Sequence, residues 1–450
     1  MDPQKWVHER VKSFVWSKQL QIMESVRDNR RTAVHSCHAI GKSFIAAQIT
    51  AWWVDSHPPG ESVVVTSAPT ARQVRAILWK EINRAQARGH LPGRTNQTSW
   101  YITAPNGKEE KVAFGMKPSD TDPAAFQGIH APYVLIIFDE ACGIPGGDGK
   151  SHSLWEAADS LIANDDSRFL AIGNPDDPNS EFATSCKPGS GWGVIGIGYS
   201  DTPNFTGEKI PESLRPLLIG ELYVEEKRKK WGEKNPLFVS KILGKFPEST
   251  ADGLIPMSWI RAAQARELKP IGPSELGVDV GAGGDKNVVA HREGPVVRII
   301  RKDQEPDTMV SCGNLLADLK ETEAEVAKVD YIGIGRGMVD RAIEQGKPVI
   351  GVNVAQSARD SESYINLRAE GYWGLRERFE TGTIDLDESD DDLAAQLVEL
   401  NYKRTSSGKI QIESKSEMKK RLGHSPDEAD ALMLSFIVPP EGPPEFKMLW

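Results

Sequence analysis

Uninterrupted apolar runs of strand length alternate along this chain with stretches whose apolar positions recur at helical spacing, the pattern of a layered α/β protein. Val63-Val64-Val65, Val134-Leu135-Ile136-Ile137-Phe138 and Phe169-Leu170-Ala171-Ile172 are runs of this kind, and each leads into polar residues. Arg31-Thr32-Ala33-Val34-His35 is shorter but β-compatible, and after it Phe44, Ile45, Ile49, Trp52 and Trp53 return at the spacing of a buried helix face. Residues 5–28 carry Phe14, Trp16, Leu20, Ile22, Met23 and Val26 and predict helix ahead of that strand. Four strands separated by helical or loop sequence predict a doubly wound parallel sheet. Residues 88–128 are rich in Gly, Pro, Asn and Thr, and the alternation Trp100-Tyr101-Ile102-Thr103 predicts a hairpin insertion there. Residues 143–149 read as a loop or lid.

The pattern restarts in the second half. Residues 211–246 turn helical and basic, and Pro247-Glu248-Ser249-Thr250-Ala251-Asp252-Gly253 interrupts them. Glu275 to Val280 then predicts a strand, residues 281–285 a tight turn, and Asn287 to His291 a returning strand. Val329 and Asp330 end a further strand in a Gly-rich turn, and a helix opens at Ser425-Pro426-Asp427-Glu428, with Pro near its first turn. A chain of 450 residues exceeds one comfortable core. The expected organisation is a first domain over 1–247, a linker over 248–272, a second α/β domain over 273–438 and a tail over 439–450.

Composition narrows the class. No apolar run approaches the length of a membrane span, and the opening Met1-Asp2-Pro3-Gln4-Lys5-Trp6 lacks the order of a signal peptide, so a cytoplasmic protein is expected. The four cysteines have no Cys-x-x-Cys spacing, which argues against structural zinc and predicts free thiols. The net charge of −10 speaks against a polyanionic partner, but the charge is segregated. Lys227-Arg228-Lys229-Lys230 forms a basic block, and Lys403, Arg404, Lys409, Lys415, Lys419, Lys420 and Arg421 crowd one C-terminal stretch, which permits a local basic track for nucleic acid.

Between the first strand and its helix lies Ser36-Cys37-His38-Ala39-Ile40-Gly41-Lys42-Ser43. A strand feeding such a loop into a helix N-terminus turns backbone N–H groups and the positive end of the helix dipole toward a triphosphate. Lys42 is placed to reach the β- and γ-phosphates and Ser43 to ligate Mg²⁺. Asp139 and Glu140, at the carboxyl end of a buried strand, suit the Mg²⁺ shell and the attacking water respectively. Asn174, ending the next run, is placed to sense the γ-phosphate, and Gln19 is a candidate reader of the adenine edge.

The order of these motifs, followed by Asp279, Asp330 and Asp427, resembles the large terminase subunit of tailed bacteriophages across nearly the whole chain. The resemblance implies an N-terminal P-loop ATPase domain that drives double-stranded DNA into a procapsid. It also implies a C-terminal RNase H-like α/β nuclease domain that cuts concatemeric DNA. Lys42 and Ser43 match the family's Walker A motif, Asp139 and Glu140 its Walker B, and Gly173-Asn174-Pro175 its coupling motif. Asp279, Asp330 and Asp427 match the nuclease acids, with Asp430 the alternative to Asp427 and Asp285 an extra ligand. Hard oxygen ligands of this kind suit two Mg²⁺ or Mn²⁺ ions. Implied partners are DNA, the portal protein, the small terminase subunit and further copies of the chain in a ring. Ser36 replaces the first Gly of the usual motif, and His38 stands where many members carry Arg, so an arginine contribution would come from a neighbouring subunit. A helicase-like translocase would share the first half without needing the second set of acids.

Overall fold

The computed structural model describes residues 1–116, 131–146, 153–248, 253–281, 284–331, 335–423 and 425–438. The tail over 439–450, and parts of the expected hairpin insertion, of the 143–149 segment and of the Gly-rich turns at 281–285 and 333–337, lie outside the described residues. The chain divides into two compact units, Met1–Ser249 and Thr250–Trp450.

The first unit is built on eight strands: β1 (Arg31–Ser36), β2 (Ser62–Ser67), β3 (Arg94–Thr95), β4 (Ser99–Thr103), β5 (Glu109–Met116), β6 (Tyr133–Asp139), β7 (Arg168–Gly173) and β8 (Gly193–Ile197). They are ordered β3-β4-β5-β2-β6-β7-β1-β8. From β5 to β8 every neighbouring pair is parallel, whereas β3, β4 and β5 pair antiparallel. The hairpin expected from residues 88–128 therefore extends the main sheet, with its last strand lying parallel against β2. Both faces of the central strands are covered, which is why they read as unbroken apolar runs. Val63, Val65, Ile136, Phe138 and Phe169 pack with Trp155 and Ala158 on one face, where Phe138 meets Trp155 and Phe169 edge-on at 5.0 and 4.9 Å. The intervening residues, such as Val64, Leu135 and Ile137, face the other side by the period of two. There the helix Lys42–Ser56 packs on β2 and β6. Two helices position the nucleotide motifs: α1 (Ser17–Asp28), whose buried face includes Gln19, and α2 (Lys42–Ser56).

The second unit holds a five-stranded sheet of β9 (Ser274–Asp279), β10 (Asn287–Glu293), β11 (Val296–Asp303), β12 (Val326–Asp330) and β13 (Val349–Val352), ordered β11-β10-β9-β12-β13. The first three strands are antiparallel, and β9, β12 and β13 are parallel, the arrangement expected of an RNase H-like α/β unit. A two-stranded ribbon, β14 (Tyr402–Arg404) with β15 (Ile410–Ile412), lies outside this sheet. Four helices of this unit bear on its acidic residues: α3 (Met257–Gln264), α4 (Leu367–Thr381), α5 (Lys415–Leu422) and α6 (Asp427–Phe436). The stretch expected as a linker over 248–272 carries α3, with Leu254, Ile255, Ile260 and Ala263 buried and Leu254 N donating to Leu400 O at 2.7 Å. It is part of the second unit's core.

Helix α6 lies directly on β9 because β9 has a glycine beneath it. A Cβ on Gly277 would stand 2.1 Å from Ala431 O and 2.3 Å from Ser435 N. That close approach brings the acidic start of α6 to the acidic end of β9. Among the described residues, no helix is long and apolar enough to cross a membrane.

Candidate functional site

In the first unit, β1 hands the chain to the loop at Ser36, and α2 begins at Lys42. Gly41, between them, has φ 78°, a backbone conformation that favours glycine, and a Cβ there would meet Gln19 Nε2 at 2.7 Å and displace that amide. The loop is held from outside: Cys37 N donates to Ile197 O and His38 N to Lys241 O, both at 2.8 Å, and Ala39 O accepts from Ile219 N at 3.1 Å. Ala39 itself takes a left-handed φ of 50°. The first bond of the helix runs from Ile45 N to Gly41 O at 2.9 Å, so the N–H groups of Lys42, Ser43 and Phe44 precede the intrahelical ladder and suit an anion. Burial pushes the Cys37 thiol up to about 12, which keeps it unreactive.

The three strands β6, β7 and β1 end side by side, and their motifs interlock. Asn174, just past β7, donates from Nδ2 to Ser36 O at 2.7 Å and accepts at Oδ1 from Lys42 Nζ at 3.1 Å. Ser43 Oγ donates to Asp139 Oδ2 at 2.7 Å, the geometry of two groups that share a cation's coordination sphere. Glu140 turns out of β6 in the left-handed region at φ 48°, which sets its carboxylate 3.6 Å from Lys42 Nζ and leaves it about one third exposed. Gly173 makes room for that turn, since a Cβ there would stand 2.9 Å from Ala141 N. Burial, reinforced by Glu140, raises Asp139 well above the usual carboxylate range, against the pull of Ser43 and Lys42. A buried acid held in this way favours a cation beside it.

Gln19 has both ends of its amide engaged: Oε1 accepts from Trp16 N at 3.4 Å and Nε2 donates to Ile40 O at 2.8 Å. In this geometry Gln19 props the loop at Ile40. If the prop is its whole role, Gln19→Leu is expected to weaken ATP and GTP by the same factor, about three- to tenfold for loss of the buried bond to Ile40 O. Titration with fluorescent analogues of both nucleotides checks it; a loss confined to adenine nucleotides would return Gln19 to base reading.

In the second unit, Asp279 ends β9, while Asp427 and Asp430 open α6 and share a face at the spacing i, i+3. All three are buried. They converge on the ammonium of Lys415, the first residue of α5, which donates to both oxygens of Asp279 at 2.9 Å and stands 3.1 Å from Asp430 and 3.9 Å from Asp427. Asp427 Oδ2 accepts from Lys286 N at 3.1 Å, and its buried Oδ1 has no hydrogen-bond partner among the described residues. Burial, with Asp430 and Asp427 adding to it, raises Asp279 well above its ordinary range despite Lys415. At Asp430 burial pushes the same way, but Lys415 and Arg368 outweigh it and hold the group low. Burial opposes the charge on Lys415, yet the surrounding carboxylates raise it.

Asp330 ends β12, where Val329 pairs with Val278, so it stands at the level of Asp279 on the adjacent strand. Two residues earlier, Lys328 reaches Glu275 and Ser435 O under α6, and the period of two puts Asp330 on that same face. Asp285 lies at the rim, paired with Lys419 at 2.5 Å. Among the described residues, no group of three or more His, Cys, Asp or Glu is placed to hold a metal ion as it stands. The point on which the carboxylates converge is taken by an ammonium. A stand-in cation and an orphaned buried carboxylate oxygen are what a cation-binding acid cluster presents, so the donor set fits a divalent metal.

Sequence reasoning grouped Lys415 with a basic track and left its role as counter-ion unread, although the capping box of Ser414 and Glu417 marks the helix start that carries it. Much of the supposed track is committed: Arg421 pairs with Glu399 and Glu413, whereas Lys403, Arg404 and Lys420 are exposed. In the block over 227–230, Lys227 is buried with its ammonium 4.6 Å over the Trp231 ring, and Arg228 pairs with Glu225 and Glu233.

No family model matches the chain. A probable terminase large subunit of Enterobacteria phage P7 is 24% identical over 464 aligned positions, which cover 95% of this chain and 88% of that protein. Among solved structures, the large terminase of a thermophilic bacteriophage covers 94% of this chain and 98% of its own at 12% identity, with a TM-score of 0.43. The nuclease domain of the large terminase subunit of bacterial virus Sf6 covers 42% of this chain and 99% of its own at 24% identity, with a TM-score of 0.38. The resemblance carried by the motifs thus extends along nearly the whole chain.

Proposed function

We propose that this chain, which resembles large terminase subunits of tailed bacteriophages over nearly its whole length, is the motor and nuclease of a viral DNA-packaging machine. The observation that supports the reading is that one chain carries two clusters of interlocked polar and charged side chains of the kind phosphate chemistry needs. One is the interlocked set Ser36, Lys42, Ser43, Asp139, Glu140 and Asn174, and the other the carboxylates gathered on Lys415.

In the motor, over residues 1–247, the loop amides from Lys42 to Phe44 take the phosphates and Lys42 exchanges its protein partners for them. Ser43 and Asp139 hold Mg²⁺, and Glu140 orients the attacking water and takes its proton. Asn174 touches both the loop and Lys42, so loss of the γ-phosphate changes what β7 feels at its end. In the nuclease, Asp279, Asp330 and Asp427, with Asp285 at the rim, hold Mg²⁺ or Mn²⁺. Two such ions stabilise the attacking and leaving oxygens of a phosphodiester. The residues of this chain fix the charge and direction of the site, and Lys415, already at its centre, is placed to contact the scissile phosphate. Exposed Lys403, Arg404 and Lys420 contact the backbone without reading bases.

Double-stranded DNA, the portal protein, the small terminase subunit and a ring of identical chains are the partners, at the portal vertex in the host cytoplasm. The test is one assay with linear DNA, ATP and Mg²⁺ or Mn²⁺ that scores hydrolysis and cutting separately. Both activities are expected, cutting without any need for ATP. Hydrolysis with no metal-dependent cutting would leave a helicase-like translocase.

A further inference from the structure

Asp430 gives its two oxygens different work. Oδ1 accepts from Tyr372 Oη at 2.5 Å and from Arg368 Nη2 at 3.2 Å, while Oδ2 faces Lys415 Nζ at 3.1 Å. Tyr372 is fully buried on α4, and Arg368 stands one turn before it on the same face, its guanidinium 4.9 Å over the Tyr372 ring. The other limb of Arg368 donates to Glu413 O, next to the Ser414 cap that starts α5 and so places Lys415. One rigid pair thus fixes both Asp430 and the helix end that carries the cation in front of it. Among the described residues Asp427, three residues earlier, has no such clamp: it accepts a hydrogen bond from the backbone amide of Lys286 and faces Lys415 at 3.9 Å.

We propose that Tyr372 and Arg368 are positioning residues that aim Asp430 Oδ2 at the cation position, so that Asp430 faces the metal beside Asp427 instead of replacing it. This rests on the nuclease reading. The physical reason is orientation. A carboxylate near a helix start has several rotamers of similar energy, and two donors on one oxygen select the rotamer that presents the other. Partners of this kind, once removed, typically cost ten- to a hundredfold in metal affinity.

The test uses the full chain without nucleotide and follows Mn²⁺ binding by the loss of the free-ion EPR signal. Tyr372→Phe keeps the ring, its packing and its contact with Arg368 while deleting one donor. It is expected to raise the Mn²⁺ dissociation constant about tenfold. The Mn²⁺ concentration for half-maximal cutting should rise in parallel. Asp430→Asn, which leaves the clamp in place, is expected to raise the same constant at least as much. A merely structural Tyr372 would lower the melting temperature in EDTA and leave Mn²⁺ affinity untouched; that result, or an unchanged affinity in Asp430→Asn, overturns the proposal. If the unaltered protein bound no Mn²⁺ at all, the nuclease reading itself would fall, a different outcome from equal binding by all three proteins.

Discussion

Glu140→Gln should leave the protein able to bind ATP and nearly unable to turn it over. Glu140 is held by its left-handed backbone at the end of β6, beside Asp139 but one third exposed, where a water can stand between it and a bound γ-phosphate. Glutamine keeps the shape and loses the base, and removal of a positioned general base costs about a hundred- to ten-thousandfold in rate. Binding survives because the loop amides, Lys42 and the Ser43–Asp139 pair are untouched. Folding should survive as well: the ion pair to Lys42 is long at 3.6 Å, its Glu140 end is about one third exposed, and glutamine still offers Lys42 an acceptor oxygen, so the loss is about 1 kcal/mol or less. Lys42→Ala should differ in kind, losing affinity along with turnover, since it deletes the counter-charge to the phosphates. Phosphate release and equilibrium binding of an ATP analogue separate the two variants. Wild-type turnover by Glu140→Gln would move the catalytic carboxylate elsewhere, and DNA cutting is expected to be normal in both.

Burial and spacing decide which elements the sequence shows and which it hides. The strands β2, β6 and β7 are covered on both faces and stand out as apolar runs. Strand β8, Gly193-Val194-Ile195-Gly196-Ile197, pairs among the described residues only with β1 and carries two glycines that weaken any β signal. Strand β5 opens on Glu109-Glu110-Lys111, which reads as surface until its pairing with β2 and β4 is known. The run Leu254-Ile255-Pro256-Met257-Ser258-Trp259-Ile260 had a helical period that the surrounding polar residues masked, so α3 read as linker. At the second site the ambiguity was geometric. Asp427 and Asp430 lie on one helix face, and periodicity cannot rank two residues that point the same way. Only the partners distinguish them, Lys286 N for one and Tyr372 with Arg368 for the other, and those come from 141, 58 and 62 residues away. Lys415 was hidden for the opposite reason: one lysine among seven basic residues has no mark that shows it faces inward.

Asp279→Asn should abolish DNA cutting while leaving the fold as stable as before or more so. Asp279 is 2% exposed and sits beside Asp427 and Asp430, and its raised proton affinity records the cost of keeping three carboxylates together out of water. Asparagine has the same shape, removes one of those charges, and leaves Lys415 with Asp430 at 3.1 Å and Asp427 at 3.9 Å. A carboxylate whose proton affinity rises on folding costs stability while it is ionised, and Lys415 keeps Asp430 as an ion-pair partner, so the melting temperature in EDTA should stay or rise. The catalytic effect has the opposite sign. An amide does not hold a divalent ion against competition from water as a carboxylate does, and several kcal/mol of transition-state stabilisation go with the ion, a loss of about a hundredfold or more. ATP turnover in the full chain should be unaffected. The same comparison is expected to hold in a fragment that begins at Thr250 and not at 273, because a start at 273 strips away α3 and the buried Leu254, Ile255 and Ile260. Gel assays with Mn²⁺ and Mg²⁺ beside a melting curve read both signs at once. Full-rate cutting by Asp279→Asn would remove the metal-dependent nuclease, whereas lost cutting together with a sharply lower melting temperature would reduce Asp279 to a structural acid.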